Sequence, residues 1–117
     1  MVRKLAEIPG REVPGYRDGK GTAIARNFLK AEDFKNGAKS SGRVILPPGA
    51  TIGYHQHVGE SETYFIVKGH GIFHDNGKDV PVTAGDVAII NGGEYHGLDN
   101  AGDSDLELIT LVTVDRA

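Results

Sequence analysis

From Arg43 onward the chain is cut into short apolar runs by Gly, Pro and Asn-Gly, and no segment carries the three-to-four-residue periodicity of an amphipathic helix. The runs are Arg43 to Leu46, Thr51 to His57, Glu62 to Val67, Gly71 to His74, Asp79 to Val82, Val87 to Ile90, Tyr95 to Leu98 and Leu106 to Val114. Short strands at even spacing, each followed by turn residues, predict an all-β domain of the sandwich or barrel type. Asp75-Asn76-Gly77-Lys78 is the clearest hairpin signal, because Asn-Gly suits a two-residue turn that needs positive φ. At 117 residues the chain holds one hydrophobic core and not two.

Upstream of these runs, residues 1 to 21 carry Pro9, Gly10, Pro14, Gly15, Gly19 and Gly21 and read as an extended N-terminal arm, leaving 22 to 117 as the β domain. Thr22 to Phe28 reads as a strand and Ala31 to Asn36 as a turn or a single helical turn. The charge divides along the chain. Up to Arg43 there are ten Lys or Arg against five acids, a net of +5; from Val44 on, eleven acids face three bases, a net of −8. The basic residues are scattered and not interleaved with aromatics, which argues against a nucleic-acid-binding arm. The expectation is an arm that packs on an acidic barrel, its own or a partner subunit's, and shields its charge.

The chain has no cysteine, so thiol nucleophiles, zinc–thiolate sites and disulfides are excluded and any metal must sit on imidazole and oxygen. The N-terminal basic residues are followed by no apolar run, and no segment is long enough to span a bilayer, so a cytoplasmic protein with no membrane partner is expected.

Against this background the segment GYHQHVGESETYFIVKG, residues 53 to 69, stands out. In a strand alternate side chains share a face, so His55 and His57 point the same way, with Cα atoms roughly 6.5 Å apart. Two imidazoles so placed can converge on one ion. If Val58-Gly59-Glu60-Ser61 turns the chain back into a neighbouring antiparallel strand, Glu62 enters the same interior, followed on that face by Tyr64 and Ile66. His96, after the flexible Asn91-Gly92-Gly93, is a fourth candidate. Three imidazoles and one carboxylate leave positions open on a five- or six-coordinate ion, which suits chemistry. Glu60 reads as a solvent-facing turn residue, His70 and His74 as exposed, and Asn100 as a cap on the last turn.

These two blocks resemble the two signature motifs of the cupin family. The first is Gly, five residues, His-x-His, four residues, Glu, six residues, Gly, and the chain has Gly49, His55, His57, Glu62 and Gly69 in that register. The second reads Gly85, Gly93, His96 and Asn100, with Asn91 where the family has proline. The resemblance implies a single-domain cupin β-barrel of the double-stranded β-helix or jelly-roll type. It also implies one divalent metal ion per chain at His55, His57, Glu62 and His96, manganese first among candidates that include iron, nickel, zinc and copper.

The wider run is similar to small oxalate-decarboxylase-like cupins, which implies an ion that acts as a Lewis acid on a small carboxylate. The arginine of authentic oxalate decarboxylases precedes His-x-His by three residues; here that position is Ile52, and no lid glutamate is apparent. Binding a carboxylate is therefore better supported than turning it over. Two other readings stay open: a sugar-acid isomerase or lyase in which Tyr64 moves a proton, and a non-catalytic binding or sensor domain. Phe65, Val67, Ile109, Leu111 and Val112 are more apolar residues than one interior face needs, so a homodimer through an outer sheet is expected.

Overall fold

The computed structural model describes residues 1 to 33 and 37 to 116 and is built almost wholly from strands. They are β1 Arg11–Pro14, β2 Thr22–Asn27, β3 Ala38–Leu46, β4 Thr51–Gln56, β5 Glu60–Lys68, β6 His70–Asp75, β7 Lys78–Thr83, β8 Val87–Ile90, β9 Tyr95–Asp99 and β10 Leu106–Val114. Single 3₁₀ turns lie at Leu5–Glu7, Tyr16–Asp18 and Ala31–Asp33. The last of these falls where a helical turn is expected; residues 34 to 36 of that expectation lie outside the described residues. No described helix is long and apolar enough to cross a membrane.

Two sheets divide the strands. The larger has the order β1-β2-β3-β10-β5-β8 and the smaller β4-β9-β6-β7. They enclose one core but do not close into a continuous ring of hydrogen bonds, so the expected barrel is a two-sheet jelly roll. Val44, Leu46, Ile66 and Leu108 from the larger sheet meet Ile52, Phe73, Val82 and Leu98 from the smaller one, all buried. Alternation explains the selection: in β5 Glu62, Tyr64 and Ile66 point inward while Phe65 and Val67 remain exposed. Of the five apolar residues counted as more than one interior face needs, Val112 is buried, on the same face of β10 as Leu108 and Thr110.

The Asp75-to-Lys78 hairpin forms as read, with Asn76 at φ 49° and Gly77 at φ 88°, and Asp75 paired with Lys78. The segment 58–61 behaves differently from expectation. β4 pairs with β9, whereas β5 lies between β10 and β8, so the turn carries the chain from one sheet to the other and not into an adjacent strand. Glu62 still reaches the interior because it arrives from the opposite wall. The stretch read as an arm is partly strand: β1 pairs with β2 from Arg11↔Ala25 to Pro14↔Thr22. It packs on its own sheet, with Val13 and Tyr16 against the core.

Asn100 closes the end of β9. It is 2% exposed, donates to the carbonyls of Leu46 and Ser104 at 2.8 Å each, and accepts from Gly102 N. On the outer surface His74 departs from the expected exposure. Its Nδ1 lies 2.7 Å from Asp79 and its Nε2 2.9 Å from Asp99, with the side chain 26% exposed. Burial, the largest single influence, lowers its pKa, but the hydrogen bonds and charges of Asp99 and Asp79 together outweigh it and raise the pKa above 6.5. A raised folded-state pKa gives stability that is complete below the unfolded value and lost as pH rises through the folded one. His74→Gln should therefore cost about 0.5–1 kcal/mol at acidic pH and less at alkaline pH. Melting curves of both proteins near pH 5.5 and pH 8.5 check this; an equal difference at the two pH values would contradict it.

Candidate metal centre

Four side chains from three strands meet inside the jelly roll: His55 from β4, Glu62 from β5, His96 from β9, and His57 just past β4. His55 and His96 are direct register partners, which explains how residues far apart in sequence adjoin. A candidate ligand atom from each of the four lies within 4.8 Å of the others. The Nε2 atoms form a triangle: His55 to His57 is 3.3 Å, His57 to His96 3.0 Å and His96 to His55 3.1 Å. Glu62 Oε1 lies 3.0 Å from His57 Nε2 and 3.3 Å from His96 Nε2.

The tautomers follow from the partners on the other side of each ring. His55 Nδ1 is 2.6 Å from the carbonyl oxygen of Gly53, and His57 Nδ1 is 2.9 Å from a carboxylate oxygen of Glu60. Both partners only accept, so each Nδ1 carries the proton, and with a cation among them and Glu62 each Nε2 would present its lone pair to the centre. Lone pairs facing one another in a buried site repel unless a cation lies among them. Nitrogens bound at about 2.1 Å to one ion, with angles between the octahedral and tetrahedral values, stand about 3.0–3.4 Å apart. The observed triangle has that edge, so the donor set fits a divalent ion.

The protonation states agree. Burial, reinforced by the neighbouring His96, Arg17 and His57, pushes the pKa of His55 down to about 4 despite the opposing hydrogen bond to Gly53. The imidazole is thus neutral and able to bind a metal across the physiological range. Tyr64 is buried, its ring 5.0 Å from that of His96 and 6.1 Å from that of Phe73. Burial first, then the charge of Glu62, raises its pKa far above the usual 10, so the hydroxyl stays protonated. It is equipped to donate a hydrogen bond.

Glu60, read from sequence as a solvent-facing turn residue, holds His57 instead. Its side chain is only 14% exposed and bridges His57 Nδ1 to Lys39 Nζ, 2.6 Å away. The hydrogen bond from Lys39 leads the influences that lower its pKa and keep it a carboxylate. The Lys39 contact is not legible in sequence, because Lys39 lies 21 residues away at the start of β3 and reaches Glu60 of β5 only through the order of the larger sheet. Carboxylates that orient a metal-binding histidine typically matter 10–100-fold in affinity. Glu60→Gln should therefore weaken metal binding by about 10-fold or more while leaving the stoichiometry unchanged. Competition against a chelating dye measures this, and an unaltered affinity would show that Glu60 is only a surface bridge.

The cluster opens onto a cavity of about 240 Å³ lined by His55, His57, Glu62, Tyr64, Tyr16 and Arg17, among others. The volume equals that of about eight waters. His70 is exposed and takes no part.

Residues 42–112 match the Cupin_2 family model, described as a cupin domain, and this span covers more than half of the chain. The chain is a cupin. Among proteins similar to this cupin is an oxalate-binding protein of Thermotoga maritima, 43% identical over 112 residues that cover 96% of this chain and 93% of the relative. A crystal structure described as a predicted oxalate decarboxylase, also from Thermotoga maritima, superposes with a TM-score of 0.94 at 42% identity, covering 98% of this chain and 100% of that one. KdgF from Halomonas, at 17% identity and a TM-score of 0.77, covers 97% of this cupin and 92% of its own chain, and shares the fold.

Proposed function

We propose that this cupin holds one divalent metal ion at His55, His57, Glu62 and His96 and presents it to a small carboxylate, with oxalate the first ligand to test. The observation that carries the reading is the triangle of Nε2 atoms 3.0–3.3 Å apart, two of them with the opposite ring nitrogen committed to an acceptor. The oxalate-binding relative at 43% identity supports the ligand class.

The bound ion supplies Lewis acidity, drawing electron density from ligand oxygens, and manganese leads the candidates over iron, nickel, zinc and copper. The chain supplies the rest. Glu60 and the Gly53 carbonyl fix two imidazole rings, the jelly-roll core restricts water on the inner side, and Tyr64 offers a protonated hydroxyl beside Glu62. In a decarboxylation or lyase reaction Tyr64 would be the proton donor, and a sugar acid is the alternative substrate for the same arrangement.

The test begins with untagged protein purified without a nickel column, its metal content measured by mass spectrometry and oxalate binding measured by calorimetry with and without manganese. Binding that requires the metal supports the proposal; failure to take up any divalent ion on titration ends it. Tyr64→Phe then separates binding from turnover: lost product with retained oxalate affinity assigns the proton to Tyr64. A homodimer is part of the same proposal, since Phe65, Val67, Val87, Ile89 and Leu111 leave the outer face of the larger sheet apolar and exposed. A monomer on gel filtration at micromolar concentration would remove it.

A further inference from the structure

The N-terminal segment does more than cover the sheet edge. Arg11 pairs with Ala25 in register and so shares the inward face of Ala25, and Arg11 and Arg17 both line the metal cavity. Arg3, Arg26 and Arg43 are engaged, with Phe28 and Asp33, with Ile8, and with Glu107 respectively. The Arg11 and Arg17 side chains make no hydrogen bond or ion pair among the described residues, which leaves their guanidinium groups free to meet a ligand.

The backbone at Arg17 is held in an uncommon conformation, φ 52° and ψ 44°, with Asp18 at φ 61° beside it. Left-handed geometry at two successive non-glycine residues costs free energy and persists only where the surroundings enforce it. Here β4 enforces it. A side chain at Gly53 would overlap the Arg17 carbonyl, Lys20 N donates to Thr51 Oγ1 at 2.8 Å, and Thr51 N donates to Lys20 O at 2.8 Å. Tyr16 anchors the turn in the core. Gly53, whose carbonyl accepts from His55, is thus also the seat of the Arg17 turn.

Charge balance indicates what these arginines face. A divalent ion with the single carboxylate of Glu62 leaves one positive charge, which one ligand carboxylate neutralises. A second ligand carboxylate inside the cavity would lose part of its hydration with no partner unless another cation met it, and Arg11 and Arg17 are exposed residues whose side chains are free to do so. Two arginines at the cavity wall provide that cation, and the cavity's volume exceeds what oxalate fills. We infer that Arg17, together with Arg11 at the same cavity wall, holds the carboxylate distal to the metal and makes this cupin selective for dicarboxylates over monocarboxylates. The inference rests on the metal-and-carboxylate reading above.

The experiment is calorimetry on the full-length, manganese-loaded protein with oxalate, malonate and succinate against formate and acetate, for wild type, Arg17→Gln, Arg17→Lys and the Arg11→Gln/Arg17→Gln pair. In Arg17→Gln the best dicarboxylate should lose on the order of 10- to 100-fold in affinity, while monocarboxylate affinity and manganese stoichiometry hold. Arg17→Lys, which keeps the charge without the planar fork, should fall between and guards against a folding defect in the neutral variant. An unchanged preference in the double variant, with wild type still binding oxalate through manganese, overturns the assignment of the arginines alone. Wild type that binds none of the five overturns the metal-and-carboxylate reading as well.

Discussion

His96→Ala is expected to abolish tight metal binding, taking the bound ion from about one per chain to near zero when the metal is at micromolar concentration. His96 is 1% exposed and contributes one corner of the Nε2 triangle, so no neighbouring side chain or bulk water replaces it directly. The loss also appears in stability. A ligand present at 100 times its Kd stabilises the folded state by about 2.7 kcal/mol. Wild type should therefore gain several degrees in Tm on adding metal, and the variant none. Melting both with and without manganese and with a chelator reads this out. A variant whose Tm still rises with metal would place the ion elsewhere.

The second large effect is expected in the core. Leu108 is fully buried in β10, paired in register with Val44 of β3 and Ile66 of β5, so its side chain fills the centre of the larger sheet's inner face. Leu108→Ala removes buried methyl groups and leaves a cavity whose walls are held by two hydrogen-bonded ladders. The cost should be about 2–5 kcal/mol, a large share of the 5–15 kcal/mol typical of a domain. Urea denaturation should show a lower midpoint at a similar slope; a loss below about 1 kcal/mol would mean that the two sheets close over the gap.

Both effects bear on how legible the molecule was. The strands from Thr51 to Val114 were readable because alternation and Gly-rich turns are local properties, and observed and expected boundaries there differ by only a few residues. β1 was not, since Arg11-Glu12-Val13-Pro14 has no alternation of its own and is a strand only because β2 offers an edge to pair with. β3 was read only from Arg43, although it begins at Ala38, because Lys39, Ser40 and Ser41 are polar and the strand conformation there comes from the pairing of Ala38, Ser40 and Ser41 with β10.

At the candidate site the division is similar. His55 and His57 share a face by the period-two geometry of a strand, whereas Glu62 and His96 were joined to them by a conditional turn and by the resemblance to the cupin motifs. Sequence could not say which sheet each came from, and the expected adjacency of β4 and β5 failed because strand pairing depends on the whole sheet order.

What the sequence alone determined was therefore the all-β class, the hairpin at Asn76-Gly77 and the shared face of His55 and His57, each encoded locally, with Glu62 and His96 added by the motif spacing that resembles the cupin family. The tertiary structure alone decided that Lys39 backs the Glu60 carboxylate against His57, that Tyr64 is buried beside His96, and that Arg11 and Arg17 line the cavity. Those facts depend on long-range packing, burial and the charges it brings together, which no short window of sequence contains.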